Sequence, residues 1–263
     1  MLQSQDQANI SIAGTPFGGQ VLSWKVAGVE RLYSSPNSPV ASGRAHRGGI
    51  PVIFPQFNTF GPGPRHGFAR LATWDCLETT ATHLVYRLRN SAETLALWPY
   101  EFEAVLEAKC HERTLTTTLS VSNLGASDAS FTCALHTYLR VGDLARARLS
   151  GLRGHRYLDC MGGERHEHID EAEFMAFGGE IDRIYRDGPS SMRLEGNESP
   201  ITIRQSGFND TVVWNPGAHL AASMPDLGAG EYTRFICVEA ANIHSPVNLS
   251  PGQSWQGRQI LIV

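Results

Sequence analysis

Two runs carry the residue types that proton transfer needs: a histidine in TCALHTYLRVGD and a glutamate in RFICVEAANIHSPVNLSPG. In the first, a period of two sends Leu135, Thr137, Leu139 and Val141 to one face and Ala134, His136, Tyr138 and Arg140 to the other, because successive strand side chains point to opposite sides. If the apolar face packs on a core, His136 projects with Tyr138 and Arg140 into a cleft or into solvent. An exposed or structurally hydrogen-bonded histidine is the competing reading. In the second run Ile236 and Val238 share one face, while Phe235, Cys237 and Glu239 share the other. A carboxylate among apolar neighbours has its charged form disfavoured, which is one way to obtain a base that works near neutral pH. A structural ion pair is the alternative.

Binding groups gather elsewhere. The stretch RGGIPVIFPQFNTFGPGPRHGFAR sets Arg47, His66 and Arg70 on backbone rich in proline and glycine, and GGEIDRIYRDG adds Asp182 and Arg183. Such composition favours an ordered surface loop, and loops on a rigid scaffold are where binding groups concentrate. Lysine is scarce and arginine plentiful, and the planar guanidinium fork suits phosphate or carboxylate. In GGERHEHIDEAE, His166 and His168 alternate ahead of Glu171 and Glu173, a spacing that could ligate a metal from a strand as in a cupin-like metalloprotein. The high charge of that run, and the lack of a later histidine and glycine framework, favour a solvated loop. Cys133 and Cys237, close in sequence to His136 and Glu239, read as small buried apolar residues and take no catalytic role.

The elements that must hold these groups read as strands. HLVYRLRN places Leu84, Tyr86 and Leu88 on one face, and TLTTTLSVSN does the same for Leu115, Thr117, Leu119 and Val121. FEAVLEAKC aligns Phe102, Ala104, Leu106 and Ala108; its Ala, Glu and Lys would tolerate a helix, but its alternating neighbours favour a strand. Turn residues in SSPNSP, NLGASD, DLGAGEY and LSPGQSW punctuate these runs. No long segment keeps a 3.6-residue period, so a single all-β domain over residues 1–263 with a few short helices is expected.

Bulk properties narrow the partners. A net charge of −4 argues against a nucleic-acid surface, which carries excess Lys and Arg. The amino-terminal MLQSQDQANISIAG lacks the basic start and apolar core of a signal peptide, and no apolar stretch reaches the ~20 residues that span a bilayer. Five cysteines without a C-x-x-C pair fit a reduced, cytoplasmic protein. Oligomeric state is left open between monomer and weak oligomer.

The order of RGGIPVIFPQF, HGFAR, LHTYLRV, GEIDRIY, VVWNP and YTRFICVEAA followed by LSPGQSW resembles the hexose-6-phosphate mutarotases, the glucose-6-phosphate 1-epimerase branch of the aldose 1-epimerase superfamily. The resemblance runs from about Gly14 to the carboxyl terminus. It implies a large antiparallel β-sandwich of the galactose mutarotase type, a concave active-site cleft, and no metal or organic cofactor. It further implies that His136 is the general acid and Glu239 the general base, and that Arg47, His66, Arg70 and Asp182 contact a hexose 6-phosphate. Arg47 and Arg70 would face the phosphate, with Arg183 or Arg140 as alternatives. A carbohydrate-binding sandwich without catalysis is the competing function. Two departures stand out: Ala240 and Ala241 follow Glu239 where many relatives have Pro-Gly, and NTFGPGP follows FPQF. The first bears on how Glu239 is presented, the second on the phosphate side of the cleft.

Overall fold

The alternating runs form strands. The structure, a computed structural model, describes residues 10–40, 43–161, 165–196 and 199–263. Residues 1–9, where no export signal is expected, and residues 162–164 of the GGERHEHIDEAE run lie outside them. Two large antiparallel sheets face each other, flanked by a three-stranded sheet of Ile10–Thr15, Gln20–Val26 and Val29–Glu30. One large sheet orders His166–Ile169, Arg156–Asp159, Ile181–Tyr185, Asp210–Asn215, Phe235–Leu249, Ala129–Leu135 and Val52–Ile53, with Tyr138–Arg140 also pairing on Phe235–Leu249. The other has Ser254–Ile262 and Thr114–Asn123 near its middle, followed outward by Phe102–His111 and His83–Arg89.

Alternation explains why these layers stack. Leu84, Tyr86, Leu88, Phe102, Ala104, Leu106, Ala108, Leu115, Thr117, Leu119 and Val121 are all buried, so FEAVLEAKC is a strand and its inward row joins that of its neighbours. From the opposite sheet, Leu135, Leu139, Val141, Ile236 and Val238 enter the same core. Each large side chain so buried contributes roughly 1.5–3 kcal/mol of hydrophobic stabilisation. The expected turns also form: Gly252 and Gly230 take φ of 76°, and Asn123 closes NLGASD by accepting from Gly125 N–H and donating to Ser127 C=O. Helix is limited to short turns, including Ala92–Leu97 and Gly217–Ala221. Among the described residues no helix is long and apolar enough to cross a membrane.

The outer face of the first large sheet is the one that matters for chemistry. It carries two apolar clusters, one with Ile53, Phe57, Ala134, Ile184, Val212 and Ala241, the other with Tyr33, Tyr138, Phe235 and Cys237. Between them the sheet presents polar side chains.

Candidate active site

The register of adjacent strands brings the acid and base candidates together. Leu135 pairs with Ala240 and Tyr138 with Cys237, which sets His136 opposite Glu239 although they are about a hundred residues apart in sequence. Their side chains meet, with His136 Nε2 at 3.3 Å from Glu239 Oε1. On the same face Asp182 pairs with Trp214, and Trp214 with Cys237, so Asp182, Trp214, Cys237 and Tyr138 form a row across four strands. The imidazole of His136 stacks on Tyr138, with centroids 4.8 Å apart and planes within 8°, and its edge meets Trp214 at 5.8 Å. Ala240 and Ala241 continue the strand beyond Glu239 with no turn, both fully buried; replacing Pro-Gly leaves Glu239 aimed into the cleft.

The arginine-rich stretch folds over this face as a loop. Gln56 staples it: Nε2 donates to Asn58 C=O at 3.0 Å and Gly63 C=O at 3.1 Å, and Oε1 accepts from Gly63 N–H at 2.8 Å. The loop closes on Asn58, whose C=O accepts from His66 N–H at 2.9 Å and whose N–H donates to His66 Nδ1 at 3.3 Å. With Nδ1 accepting, the ring hydrogen sits on Nε2, and His66 offers a neutral donor. His66 has φ of 66°, a left-handed conformation costly for a residue with a side chain. Gly67 follows with φ of 67°, and a Cβ there would lie 2.1 Å from Phe54 C=O, so only glycine fits. Trp74 anchors the next turn by donating Nε1–H to Ala69 C=O at 2.9 Å. Arg70 leaves that turn to donate to Arg65 C=O at 3.0 Å, and Arg65 donates to Asn58 Oδ1 at 3.1 Å.

All six residues anticipated from sequence, Arg47, His66, Arg70, His136, Asp182 and Glu239, line one cleft, together with Arg65, Tyr138 and Trp214. The inner cavity of about 100 Å³ opens into an outer chamber of about 420 Å³ bordered by Arg44, Arg47, Arg65, Arg70 and Asp226. Arg47 reaches Tyr138 Oη at 3.4 Å and forms an ion pair with Asp226 at 2.9 Å. A separate, largely apolar pocket of about 170 Å³ behind the loop has no ionisable lining residue and cannot move protons.

Burial dominates the electrostatics of the cleft. It lowers the His136 pKa to about 3, reinforced by the cationic Arg70 and Arg47, and that of His66 to about 2, reinforced by Arg70. Burial also pushes the Glu239 carboxyl well above the usual carboxylate range, with Asp182 adding to the rise and Arg70 opposing it. Asp182 is raised to about 6 for the same reason, with Arg65 opposing. Both His136 and Glu239 thus resist carrying charge. His136 Nδ1, Glu239 Oε2 and Arg70 Nε have no hydrogen-bond partner in the protein despite their burial. Atoms in this condition normally have a partner; here a polar ligand can supply it.

Other sequence candidates lie elsewhere. Arg183, next to Asp182 on its strand, points the opposite way over the Tyr157 ring at 4.4 Å and lies within 4 Å of Asp159 and Asp170. Arg140 lines a separate groove beside Val29 and Glu30. Neither lines the cleft or the outer chamber that Arg47 and Arg70 border. His166 and His168 are exposed on an edge strand, and among the described residues no three His, Cys, Asp or Glu side chains form a metal-binding group. Cys133 and Cys237 are buried free thiols. Sequence reasoning missed Arg65, Asn58 and Trp214; the first directly precedes His66, and the last sits inside VVWNP.

A model of the aldose 1-epimerase family matches residues 1–261. The chain is 34% identical over 258 residues to a candidate glucose-6-phosphate 1-epimerase of Cenchrus ciliaris, covering 92% of this chain and 78% of that protein. It is also 34% identical over 237 residues to one from Escherichia coli K12, covering 85% and 77%. The crystal structure of a candidate mutarotase from Salmonella typhimurium superposes with a TM-score of 0.88 at 28% identity, covering 97% of this chain and 87% of that one. With its antiparallel sandwich and its match over nearly the full length, this chain belongs to the aldose 1-epimerase family, enzymes that interconvert the anomers of a sugar.

Proposed function

We propose that the substrate is a hexose 6-phosphate, with glucose 6-phosphate the first choice, and that His136 and Glu239 are the acid and base that open and reclose its ring. The contact between His136 and Glu239 at 3.3 Å, beneath an arginine-bordered chamber, carries this reading. Anomerisation requires a proton to leave the C1 hydroxyl as another reaches the ring oxygen, so an acid and a base must serve one end of the sugar. The pair meets this need with one proton between its two members. If the proton is on His136, Glu239 is the base; if it is on Glu239, His136 is the base. Ring opening in one sense and closing in the other exchanges these states. Each well-placed proton transfer can contribute ~10²–10⁴-fold.

The surroundings supply orientation. The Nε2–H of His66 and the carboxylate of Asp182 hold sugar oxygens, keeping the open chain in place while it turns about its C1–C2 bond. Trp214 presents an apolar wall. Arg47 and Arg70, supported by Arg65, bind the phosphate through charge-assisted hydrogen bonds. The names of the Cenchrus and Escherichia relatives support this substrate class. Five free cysteines support placing the enzyme in a reducing compartment such as the cytoplasm.

The test is an anomerisation assay on freshly dissolved α-glucose 6-phosphate and α-glucose, with Glu239→Gln and His136→Ala beside the parent. Both variants should lose at least ~10²-fold in kcat while Glu239→Gln still binds the sugar phosphate. Parent-like rates in either variant remove that residue's role, and a preference for free glucose removes the phosphate assignment.

A further inference from the structure

Thr137 and Val238 are the residues that follow His136 and precede Glu239, and the strand ladder breaks between them. In a regular antiparallel pair they would exchange two hydrogen bonds. Val238 N–H does donate to Thr137 C=O, at 3.1 Å. The return bond is absent, because Thr137 N–H turns back to Leu135 C=O at 2.9 Å. That i to i−2 bond is a three-residue turn centred on His136, and the two strands on either side of it stop at Leu135 and resume at Tyr138. The turn leaves Val238 C=O, which is buried, without its ladder donor.

A side chain from the other sheet fills the position. Gln259, on Ser254–Ile262, is 1% exposed and crosses the apolar space between the layers. Its Nε2 donates to Val238 C=O at 3.0 Å, and its Oε1 accepts from Thr137 Oγ1 at 2.5 Å. A buried primary amide, set between Gln205 and Thr117 on the neighbouring strands, is unfavourable unless both ends are satisfied, and here both are, by the two residues adjacent to the acid and the base. Val238 and Thr137 are themselves apolar-facing core positions, so the tie touches neither the cleft nor a substrate.

We propose that Gln259 is a positioning residue for the acid–base pair. Its amide replaces the ladder donor given up at the His136 turn and thereby holds the turn that presents the imidazole to Glu239. Without it, the chain regains the lost bond by rotating Thr137 N–H onto Val238 C=O, which straightens the strand and swings His136 away from its partner. This rests on the acid–base reading above.

The decisive variant is Gln259→Met, which keeps length and removes both hydrogen bonds; Thr137→Val removes one while preserving shape. We expect kcat for glucose 6-phosphate anomerisation to fall about 10²-fold in Gln259→Met, the scale of an ångström-sized misplacement. The dissociation constant for an unreactive 1-deoxyglucose 6-phosphate should stay within about twofold, since uniform binding is untouched. Thr137→Val should show a smaller loss of the same kind. A crystal structure of Gln259→Met should show Thr137 N–H bonded to Val238 C=O. In Gln259→Met a kcat within about twofold of the parent, or an unchanged Thr137 to Leu135 bond, overturns the proposal, and if that variant does not fold the kcat criterion alone applies to Thr137→Val. His136→Ala measured alongside separates the two ideas. An active His136→Ala overturns the acid–base reading and this inference together, while an inactive one with an unimpaired Gln259→Met overturns this inference alone.

Discussion

Replacing Asp182 with asparagine should make the protein more stable at neutral pH, and the gain should vanish in acid. Burial raises this carboxyl from 3.8 to about 6, against the partial opposition of Arg65. The folded chain therefore binds the proton more tightly than the unfolded chain. Well below pH 3.8 both states are protonated and Asp182 carries no penalty; between about pH 4 and 6 the unfolded state gives up the proton that the folded state keeps, so stability falls across that window and the loss is complete above it. At ~1.36 kcal/mol per pH unit the difference amounts to about 3 kcal/mol at pH 7. Asparagine nearly matches the protonated acid in shape and has no proton to lose. Urea unfolding of both proteins followed by tryptophan fluorescence, at steps from pH 3 to 8, should give curves that diverge upward for the variant across about pH 4 to 6, run parallel above that, and converge at the acid end. An offset that is constant with pH, or a variant less stable than its parent at pH 7, would refute the assignment of a desolvated carboxylate. Lower affinity for the sugar in the same variant is expected, because the hydroxyl contact is weakened where the fold is strengthened.

Arg70→Gln and Arg47→Gln should each raise KM for glucose 6-phosphate about 10–100-fold, the equivalent of one charged hydrogen bond at ~1.5–3 kcal/mol, and leave KM for glucose nearly unchanged; equal effects on both sugars would contradict a phosphate contact. In Arg70→Gln, removal of a cation that lowers the His136 pKa should move the acid limb of kcat to higher pH, measured as a full pH–rate profile. For the parent, KM should worsen as pH falls through about 6 while kcat stays level, following the Asp182 pKa; the part of this limb that persists in Asp182→Asn belongs to the substrate phosphate, whose second pKa is also ≈ 6. Gln56→Ala, which frees the loop from three hydrogen bonds, should raise KM and lower Tm, read by kinetics and thermal denaturation; unchanged KM would show that the loop holds His66 without its staple.

The faces of the strands were legible because alternation is a local property. Leu135, Thr137, Leu139 and Val141 are fully buried, and His136 and Tyr138 of the opposite row line the cleft, as the period of two requires, while Arg140 of that row lines a separate groove. What no local pattern contains is register. That His136 faces Glu239, and Asp182 faces Trp214, depends on which residue of one strand is set beside which residue of another, and a slip of one position would turn each side chain to the other surface. The order of motifs along the chain carried that information through the family resemblance. The loop residues were least legible. Arg65 and Asn58 matter because the chain folds back on itself around Gln56, and proline and glycine content marks such a loop without saying which side chains it turns inward. Gln259 lies in a strand whose sequence, GRQILIV, gives no sign that the amide meets a broken ladder in the opposite layer.

On the proposed reading, the charge distribution lets a protein with a net charge of −4 hold a doubly charged ester. Arg47, Arg65 and Arg70 border the cleft. Asp226 offsets Arg47 from 2.9 Å, and Asp182, with its pKa of about 6, is largely ionised at neutral pH. The acid–base pair contributes no net charge while it keeps a single proton. Counting Arg44 at the rim of the outer chamber, a positive surplus of about two charges is left, and its buried members act more strongly than the same charges on the surface. A phosphate dianion cancels it. The same surplus adds to burial in disfavouring protonation of His136, since Arg70 and Arg47 both lower its pKa. A phosphate in the chamber would therefore ease protonation of His136, so that on the proposed reading the group anchoring one end of the sugar also favours the acid form at the other. A free hexose brings no such charge, and the penalty for lacking it falls on kcat as well as on KM.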